Sequence, residues 1–287
     1  MLKITLPKTI TAQNIDQVIN CFKGFDQKDS IIIDFSQTTW VEPIGFSLIV
    51  GFINYCVFFN KKVKYKPSNN SKLVKYFNKS GFNKLFNINA SSISFKDCST
   101  NVPLKRFETN LPVNQSFIDN LVNIINFDTK LSDDSKVTIK SSLFELFTNV
   151  KDHSSSQSGY IALGQMYPKK QKVCIAVADN GIGMLKTLNR QYKNIQTEEE
   201  AIKQSIEAGV TCKSIEKNAG MGLHTISLQA FQLDIISNST MCSYNNKKWH
   251  VKYLKERYPG VIINIEIDPA INNFETFVDT YENEEWF

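Results

Sequence analysis

The sequence has little arginine and little histidine, and this scarcity argues against several common kinds of site. Only three arginines and three histidines occur in 287 residues, so the net charge of +5 comes almost wholly from lysine. The six cysteines are scattered and no two form a CxxC pair, which argues against a zinc site. The N-terminus lacks the pattern of a signal peptide. We therefore expect free thiols in a reducing compartment and predict a cytoplasmic location.

One uncharged stretch, residues 43–60, must be compared with membrane-spanning helices because its length lies at the lower edge of a spanning segment. It follows a strand-like run at 31–35. Small and polar residues interrupt it, namely Gly45, Ser47, Gly51 and Asn54. We predict a buried helix packed on a sheet, and no membrane association.

Length and composition predict two α/β domains. A chain of 287 residues can bury two cores, and 42% hydrophobic with 21% charged residues is ordinary for a globular protein. Strands and helices alternate in 1–98, including a helix expected over 11–25, which predicts a small α/β domain. Residues 99–112 are interpreted as a linker and the first strand of the next domain. Longer helices and strands fill 105–270, and 271–287 form an acidic, aromatic tail.

Two further elements are predicted in the second domain. Thr197 and Glu200 can form a capping box, which predicts the start of a helix that runs to about residue 208. A strand is predicted over 261–267.

Three polar residues fall on one face at the end of a helix predicted over 132–152. Glu145, Asn149 and His153 are spaced four residues apart, whereas apolar side chains occupy the opposite side. The Asn149 amide oxygen is a suitable hard ligand for Mg²⁺ beside phosphates. The Glu145 carboxylate could accept a proton from a water or hydroxyl nucleophile. A solvated helix face is the simpler alternative for this motif alone.

Two glycine motifs follow the helix. Asp179 ends an alternating strand, where its carboxylate can accept a hydrogen bond from an adenine amino group. Gly181 and Gly183 then permit a tight turn and close approach of the backbone to a planar base. Gly220 and Gly222 open a further helix, whose first N–H groups can hold phosphate oxygens. Each glycine motif alone would also suit an ordinary turn or loop.

Together the three motifs resemble the ATP-binding domain shared by gyrase, Hsp90-type chaperones, histidine kinases and MutL, the GHKL superfamily. The resemblance covers about 105–265 and implies a two-layer α/β sandwich that binds ATP and Mg²⁺. It implies that Asn149 holds the metal, that Asp179 binds adenine, and that the glycines shape the pocket and its lid. Glu145 is the candidate catalytic base. The candidate binding residues are Asn149, Asp179, Gly181, Gly183, Met184, Gly220, Gly222 and Leu223.

The positions of the histidines indicate which branch of the superfamily the sequence resembles. The spacing of Asn149 and His153 looks more like the anti-sigma serine kinase branch than like sensor histidine kinases. A sensor kinase needs a phospho-accepting histidine on a separate helix. Because His153, His224 and His250 all lie within the ATP-binding segment, we expect no histidine autokinase activity.

The first domain carries a second resemblance. Residues 31–51 read as a hydrophobic strand ending in an aspartate, a loop, and an apolar helix. This order resembles the STAS domain of anti-sigma-factor antagonists, over most of 1–98. In that family a serine of the loop is phosphorylated by the partner kinase. Here the loop reads Glu42-Pro43-Ile44-Gly45, without a hydroxyl at the acceptor position, so we expect a fixed docking module.

Charge is unevenly distributed along the chain. Residues 61–84 hold eight lysines and no acidic residue, whereas 274–287 hold five acidic residues and no basic one. Aromatic residues between the lysines would suit nucleic-acid binding, but we favour a solvated basic face and expect no nucleic-acid partner. The acidic tail could dock on the basic surface, recruit a partner or fray.

The sequence therefore predicts a Mg²⁺-ATP-binding regulatory protein. Nucleotide binding or slow hydrolysis would control contact with a protein partner or with a second copy of the chain. One alternative is a protein serine/threonine kinase of the anti-sigma type, acting on a separate STAS-domain partner. Another is an interaction scaffold that does not hydrolyse ATP.

Overall fold

The computed structural model describes residues 1–85, 100–127, 131–207 and 222–268, and it has the mixed α/β architecture expected from the sequence. The predicted tail at 271–287 lies outside these ranges. The strands are β1 (Leu2–Thr5), β2 (Thr9–Ile10), β3 (Ser30–Asp34), β4 (Trp40–Val41), β5 (Lys62–Lys66), β6 (Asn101–Phe107), β7 (Tyr160–Tyr167), β8 (Lys172–Asp179), β9 (Gln232–Ser237), β10 (Thr240–Asn245), β11 (Lys248–Tyr253) and β12 (Val261–Ile267). The helices are α1 (Ile15–Cys21), α2 (Pro43–Phe58), α3 (Ser71–Lys79), α4 (Gln115–Asn126), α5 (Asp133–His153), α6 (Met184–Leu188), α7 (Glu198–Gln204) and α8 (Gly222–Gln229).

The N-terminal part, residues 1–85, is built on a parallel sheet of three strands in the order β1-β3-β5. Side chains alternate along these strands, so Ile4, Ile31 and Ile33 are buried while the lysines of β1 and β5 are exposed. Asn70 caps the start of helix α3: its side-chain oxygen accepts hydrogen bonds from two backbone N–H groups of the first turn. This part therefore has one buried sheet face and one basic, exposed face.

The C-terminal part, residues 100–268, is built on an antiparallel sheet of seven strands in the order β11-β10-β9-β12-β8-β7-β6. Helices α4, α5 and α8 cover one face. The strand β8 is buried on both faces: Ile175 and Val177 join the core beneath these helices, whereas Ala176 and Ala178 point to the other face. Small residues on that second face leave room for a helix to approach closely.

Helix α2 fills that space and lies between the two sheets. It packs on β5 from the N-terminal part and on β7, β8 and β12 from the C-terminal part. Phe52 and Ile53 share one core with Ala176 and Ala178, so the hydrophobic core is continuous across both parts. Two buried surfaces explain why the helix carries no charge, and the predicted buried helix is confirmed. Within the described ranges, no helix combines the length and apolar character needed to cross a membrane.

Several element boundaries differ from the sequence prediction. The helix predicted over 11–25 is α-helical only in α1, with short 3-10 turns on either side. The helix expected to reach residue 208 ends at Gln204. Strand β10 is not predicted from the sequence, because its residues Thr-Met-Cys-Ser-Tyr-Asn do not alternate clearly in polarity. It is held by pairing with β9 and β11, which a local pattern does not encode.

Candidate functional site

An open pocket with an empty volume of about 690 Å³ lies between the end of β8 and the helices α5, α6 and α8. It brings residues from all three sequence motifs to one place, namely Asn149, Asp179, Met184 and Leu223. Its other described lining residues are mostly apolar: Leu146, Val150, His153, Ser154, Thr187, Leu188, Ser205, Val261 and Ile263. An apolar pocket with a few convergent polar groups is typical of a small-molecule site.

Helix α5 supplies the first wall of the pocket. Ser132 caps the helix by accepting a hydrogen bond of 3.1 Å from the Ser135 backbone N–H. The predicted apolar side is buried, and Leu146 and Phe147 lie in the core beneath the sheet. Asn149 is half-buried and lines the pocket, so its amide oxygen is available to a ligand or to a metal held by that ligand.

Asp179 lines the pocket, and its side chain is almost fully buried. Its carboxylate accepts a hydrogen bond of 2.7 Å from the Gly181 backbone N–H. Burial raises the pKa of Asp179 to about 7, although the backbone N–H groups of Gly181 and Val261 act in the opposite direction. Near neutral pH the group is therefore divided between the acid and the carboxylate. A ligand that donates a hydrogen bond would favour the carboxylate.

The turn after Asp179 requires glycine for two separate reasons. A Cβ atom at Gly181 would lie 1.9 Å from the carbonyl oxygen of Ser154, at the end of α5. Gly183 has a φ of +85°, and a Cβ there would lie 2.1 Å from Nδ2 of Asn238. Both predicted glycines therefore shape the backbone beside the pocket rather than line it. Met184 begins α6 and lines the pocket directly.

The described part of the third motif, Gly222 and Leu223, lies at the start of α8. A Cβ atom at Gly222 would lie 2.6 Å from Cβ of Glu145, so this helix start presses directly against α5. Leu223 lines the pocket, and Gly220 lies outside the described residues. Glu145 is half-buried beside Gly222 and is absent from the described lining, so its role as a base remains a prediction.

Several lining residues were not identified from the sequence. Val261 and Ile263 come from β12, which the sequence predicts as a strand but does not place beside β8. Thr187 lies one turn into α6, where its hydroxyl donates to the carbonyl oxygens of His153 (3.2 Å) and Gly183 (2.8 Å). Ser205 follows α7. No local motif marks these residues, because their position depends on strand order and helix packing.

The donor chemistry of the pocket fits Mg²⁺ bound together with a phosphate. Among the described residues, no three histidine, cysteine, aspartate or glutamate side chains cluster as a metal site of their own. Magnesium beside phosphates commonly takes only one or two protein oxygens and completes its shell with phosphate and water. The Asn149 amide oxygen, which lines the pocket, is a ligand of the kind that such a metal takes.

No protein-family model matches the sequence, and no curated protein matches it. The function must therefore be inferred from the residues and the geometry of the pocket.

Proposed function

We propose that this chain is a Mg²⁺-ATP-binding regulatory protein, with a GHKL-type ATP-binding domain joined to a STAS-like domain. The observation that carries the proposal is the meeting of Asn149, Asp179, Met184 and Leu223 in one pocket. These residues come from motifs that lie far apart in the sequence: Asn149 and Leu223 are separated by 74 positions. Chance motifs have no reason to converge on a single cavity.

The part of the pocket beside Asp179 suits an adenine ring. Val261, Ile263 and Leu188 provide an apolar surface for a planar base, and Asp179 provides one buried acceptor. An adenine amino group would donate to that carboxylate and replace the water lost on burial. A site built around one buried acceptor discriminates strongly against bases that lack the matching donor. We therefore expect ATP to bind more tightly than GTP.

The part of the pocket beside Asn149 is proposed to take the phosphates and the metal. Asn149 lines the pocket from α5, and α8 begins beside the same helix at Gly222. Backbone N–H groups at a helix start favour anions, and the amide oxygen of Asn149 favours Mg²⁺. When bound, the metal would neutralise phosphate charge, while Glu145 would accept a proton from an attacking water.

The burial of α2 supports a fixed role for the STAS-like domain. Ser47, the hydroxyl nearest to the expected phosphorylation position, is fully buried between the two sheets. A kinase active site cannot reach such a side chain without unfolding the helix. The domain is therefore proposed to be a docking platform. Nucleotide binding would alter an interface with a partner, and the loop of this domain would not be phosphorylated.

The proposal is tested by titrating purified protein with ATP, with and without Mg²⁺, in a calorimeter. Wild type should bind, Asp179→Asn should bind weakly, and Asn149→Ala should lose the dependence on Mg²⁺. Lys169→Ala is the matched control, because Lys169 is exposed on the loop between β7 and β8 and does not line the pocket. Absence of ATP binding by wild type would reject the proposed function.

Measurements of ATP turnover and of partner binding then distinguish the three functions: ATPase, protein kinase and interaction scaffold. Phosphate released to water indicates an ATPase, and phosphate transferred to an added STAS-domain protein indicates a kinase. Partner binding that is equal with and without ATP indicates a scaffold. We expect slow release to water.

A further inference from the structure

The side chain of Asn180, the residue after Asp179, forms hydrogen bonds that fix the turn. Its Oδ1 accepts hydrogen bonds from the Ser158 hydroxyl (3.2 Å) and from Nδ2 of Asn54 (3.4 Å). Its Nδ2 donates to the hydroxyl of Tyr258 at 3.3 Å. Asn180 therefore joins the proposed adenine site to three other segments of the chain.

One of these segments is α2, which belongs to the N-terminal part. Asn54 is buried on this helix, and its Nδ2 also donates to the carbonyl oxygen of Ser158 at 3.0 Å. A single amide group thus serves both Ser158 and Asn180. Removal of this amide would take one donor from each of two acceptors beside the turn: the Ser158 carbonyl oxygen would keep only Arg106 Nε, and Asn180 Oδ1 would keep only the Ser158 hydroxyl.

A second contact lies one turn earlier on the same helix. A Cβ atom at Gly51 would lie 2.0 Å from the hydroxyl oxygen of Tyr258, so the helix accommodates this hydroxyl only because residue 51 is glycine. Tyr258 is fully buried, and its ring meets the edge of Phe52 at a centroid distance of 5.4 Å. The hydroxyl that accepts a hydrogen bond from Asn180 is therefore seated directly on α2.

We propose that Asn54 and Gly51 of the STAS-like domain are positioning residues for the nucleotide site. They act through Asn180 and Tyr258 and hold the turn in the geometry that presents the Asp179 carboxylate to adenine. The inference rests on the proposed function and extends it, because it makes nucleotide affinity depend on how α2 is seated. A change at this interface would reach the site without any contact to the ligand.

The first test replaces Asn54 with alanine. Loss of the two hydrogen bonds that the Asn54 amide donates should weaken ATP binding by about fivefold. Ser47→Ala is the matched control, because Ser47 is equally buried on α2 but its hydroxyl has no hydrogen-bond partner among the described residues. Phe46→Leu is a second control, since Phe46 packs against Phe77 and Phe82 inside the N-terminal core and away from the turn.

The second test is a rescue. Gly51→Ala should weaken ATP binding because the new methyl group collides with the Tyr258 hydroxyl. Tyr258→Phe removes that hydroxyl and leaves the ring carbon Cζ 3.0 Å from the new Cβ, so the loss of affinity in the double variant should be smaller than the sum of the two single losses. A purely additive loss in the double variant would show that Gly51 does not act through Tyr258, and it would contradict the proposal.

Two readouts keep this inference separate from the proposed function. ATP affinity is measured well below each melting temperature, and hydrogen exchange of the 179–184 backbone is measured without nucleotide. Faster exchange and weaker binding in Asn54→Ala, with both unchanged in Ser47→Ala, support positioning. Equal losses in Phe46→Leu would indicate general destabilisation and overturn it, as would unchanged exchange in Asn54→Ala. If wild type fails to bind ATP, the proposed function falls, and exchange alone decides whether α2 holds the turn.

Discussion

Replacement of Asp179 by asparagine should stabilise the nucleotide-free protein at alkaline pH and weaken ATP binding at the same time. The carboxyl group is buried, and its pKa is raised from 3.8 to about 7. The folded protein therefore binds more protons than the unfolded chain between these two values. By linkage, the free energy of unfolding must fall as pH rises through this window.

The size of the effect follows from the two pKa values. Between about pH 6 and about pH 8, ionisation of this one group should lower the free energy of unfolding of wild type by about 1.4 kcal/mol. The side-chain amide of the Asp179→Asn variant does not titrate, so this slope should disappear. At about pH 8 we expect a net stabilisation of about 2 kcal/mol, because relief of the buried charge exceeds the loss of one backbone hydrogen bond.

Urea unfolding at several pH values measures this difference. Asp134→Asn is the control, because Asp134 is an exposed carboxylate in the first turn of α5. Its free energy of unfolding should run parallel to that of wild type across the pH range. If Asp179→Asn also ran parallel to wild type, Asp179 would not be a buried carboxyl group of raised pKa, and the reasoning would be refuted.

The same titration predicts the pH dependence of ligand binding. The carboxylate accepts a stronger hydrogen bond from the adenine amino group than the carbonyl oxygen of the protonated acid does, because the acceptor is charged. The population of the carboxylate rises from about a tenth to about nine tenths between about pH 6 and about pH 8, so affinity should rise by up to about tenfold. Adenosine is the appropriate ligand because it carries no titrating phosphate. A flat profile would show that Asp179 does not meet the base.

Three further predictions concern other residues of the site. Glu145→Gln should retain ATP binding but lose turnover by a factor of about 100 or more, measured as released phosphate, because the proposed base is removed while shape is preserved. Gly222→Ala should weaken ATP binding at least as much as Asn149→Ala does, because the new methyl group would lie 2.6 Å from Cβ of Glu145. An ATP affinity equal to that of wild type in calorimetry would show that α8 can shift freely. Incubation with ATP and a STAS-targeting kinase should leave residues 36–47 without phosphate by mass spectrometry, since Ser47 is buried; stoichiometric phosphate there would contradict the fixed docking role.

Much of the local structure was predictable because helices and strands leave periodic patterns in the sequence. The apolar row of α5 predicted a helix with Glu145 and Asn149 on its other side, and the structure has that helix. The capping box of Thr197 and Glu200 predicted the start of α7, and both of its hydrogen bonds are present. Strand β12 has the bounds that the sequence predicts, 261–267. Periodicity and capping are properties of neighbouring residues, so a single sequence contains them.

The sequence alone determined the mixed α/β class, the main elements and the candidate residues Asn149 and Asp179. Only the tertiary structure decided that β12 lies beside β8, which brings Val261 and Ile263 to the pocket. It alone decided that α2 lies between two sheets, with Asn54 against Asn180 across 126 positions of the chain. Such pairings depend on sheet order and on which buried faces fit each other. They join residues that are distant in the chain, and the local sequence around each residue does not indicate the contact.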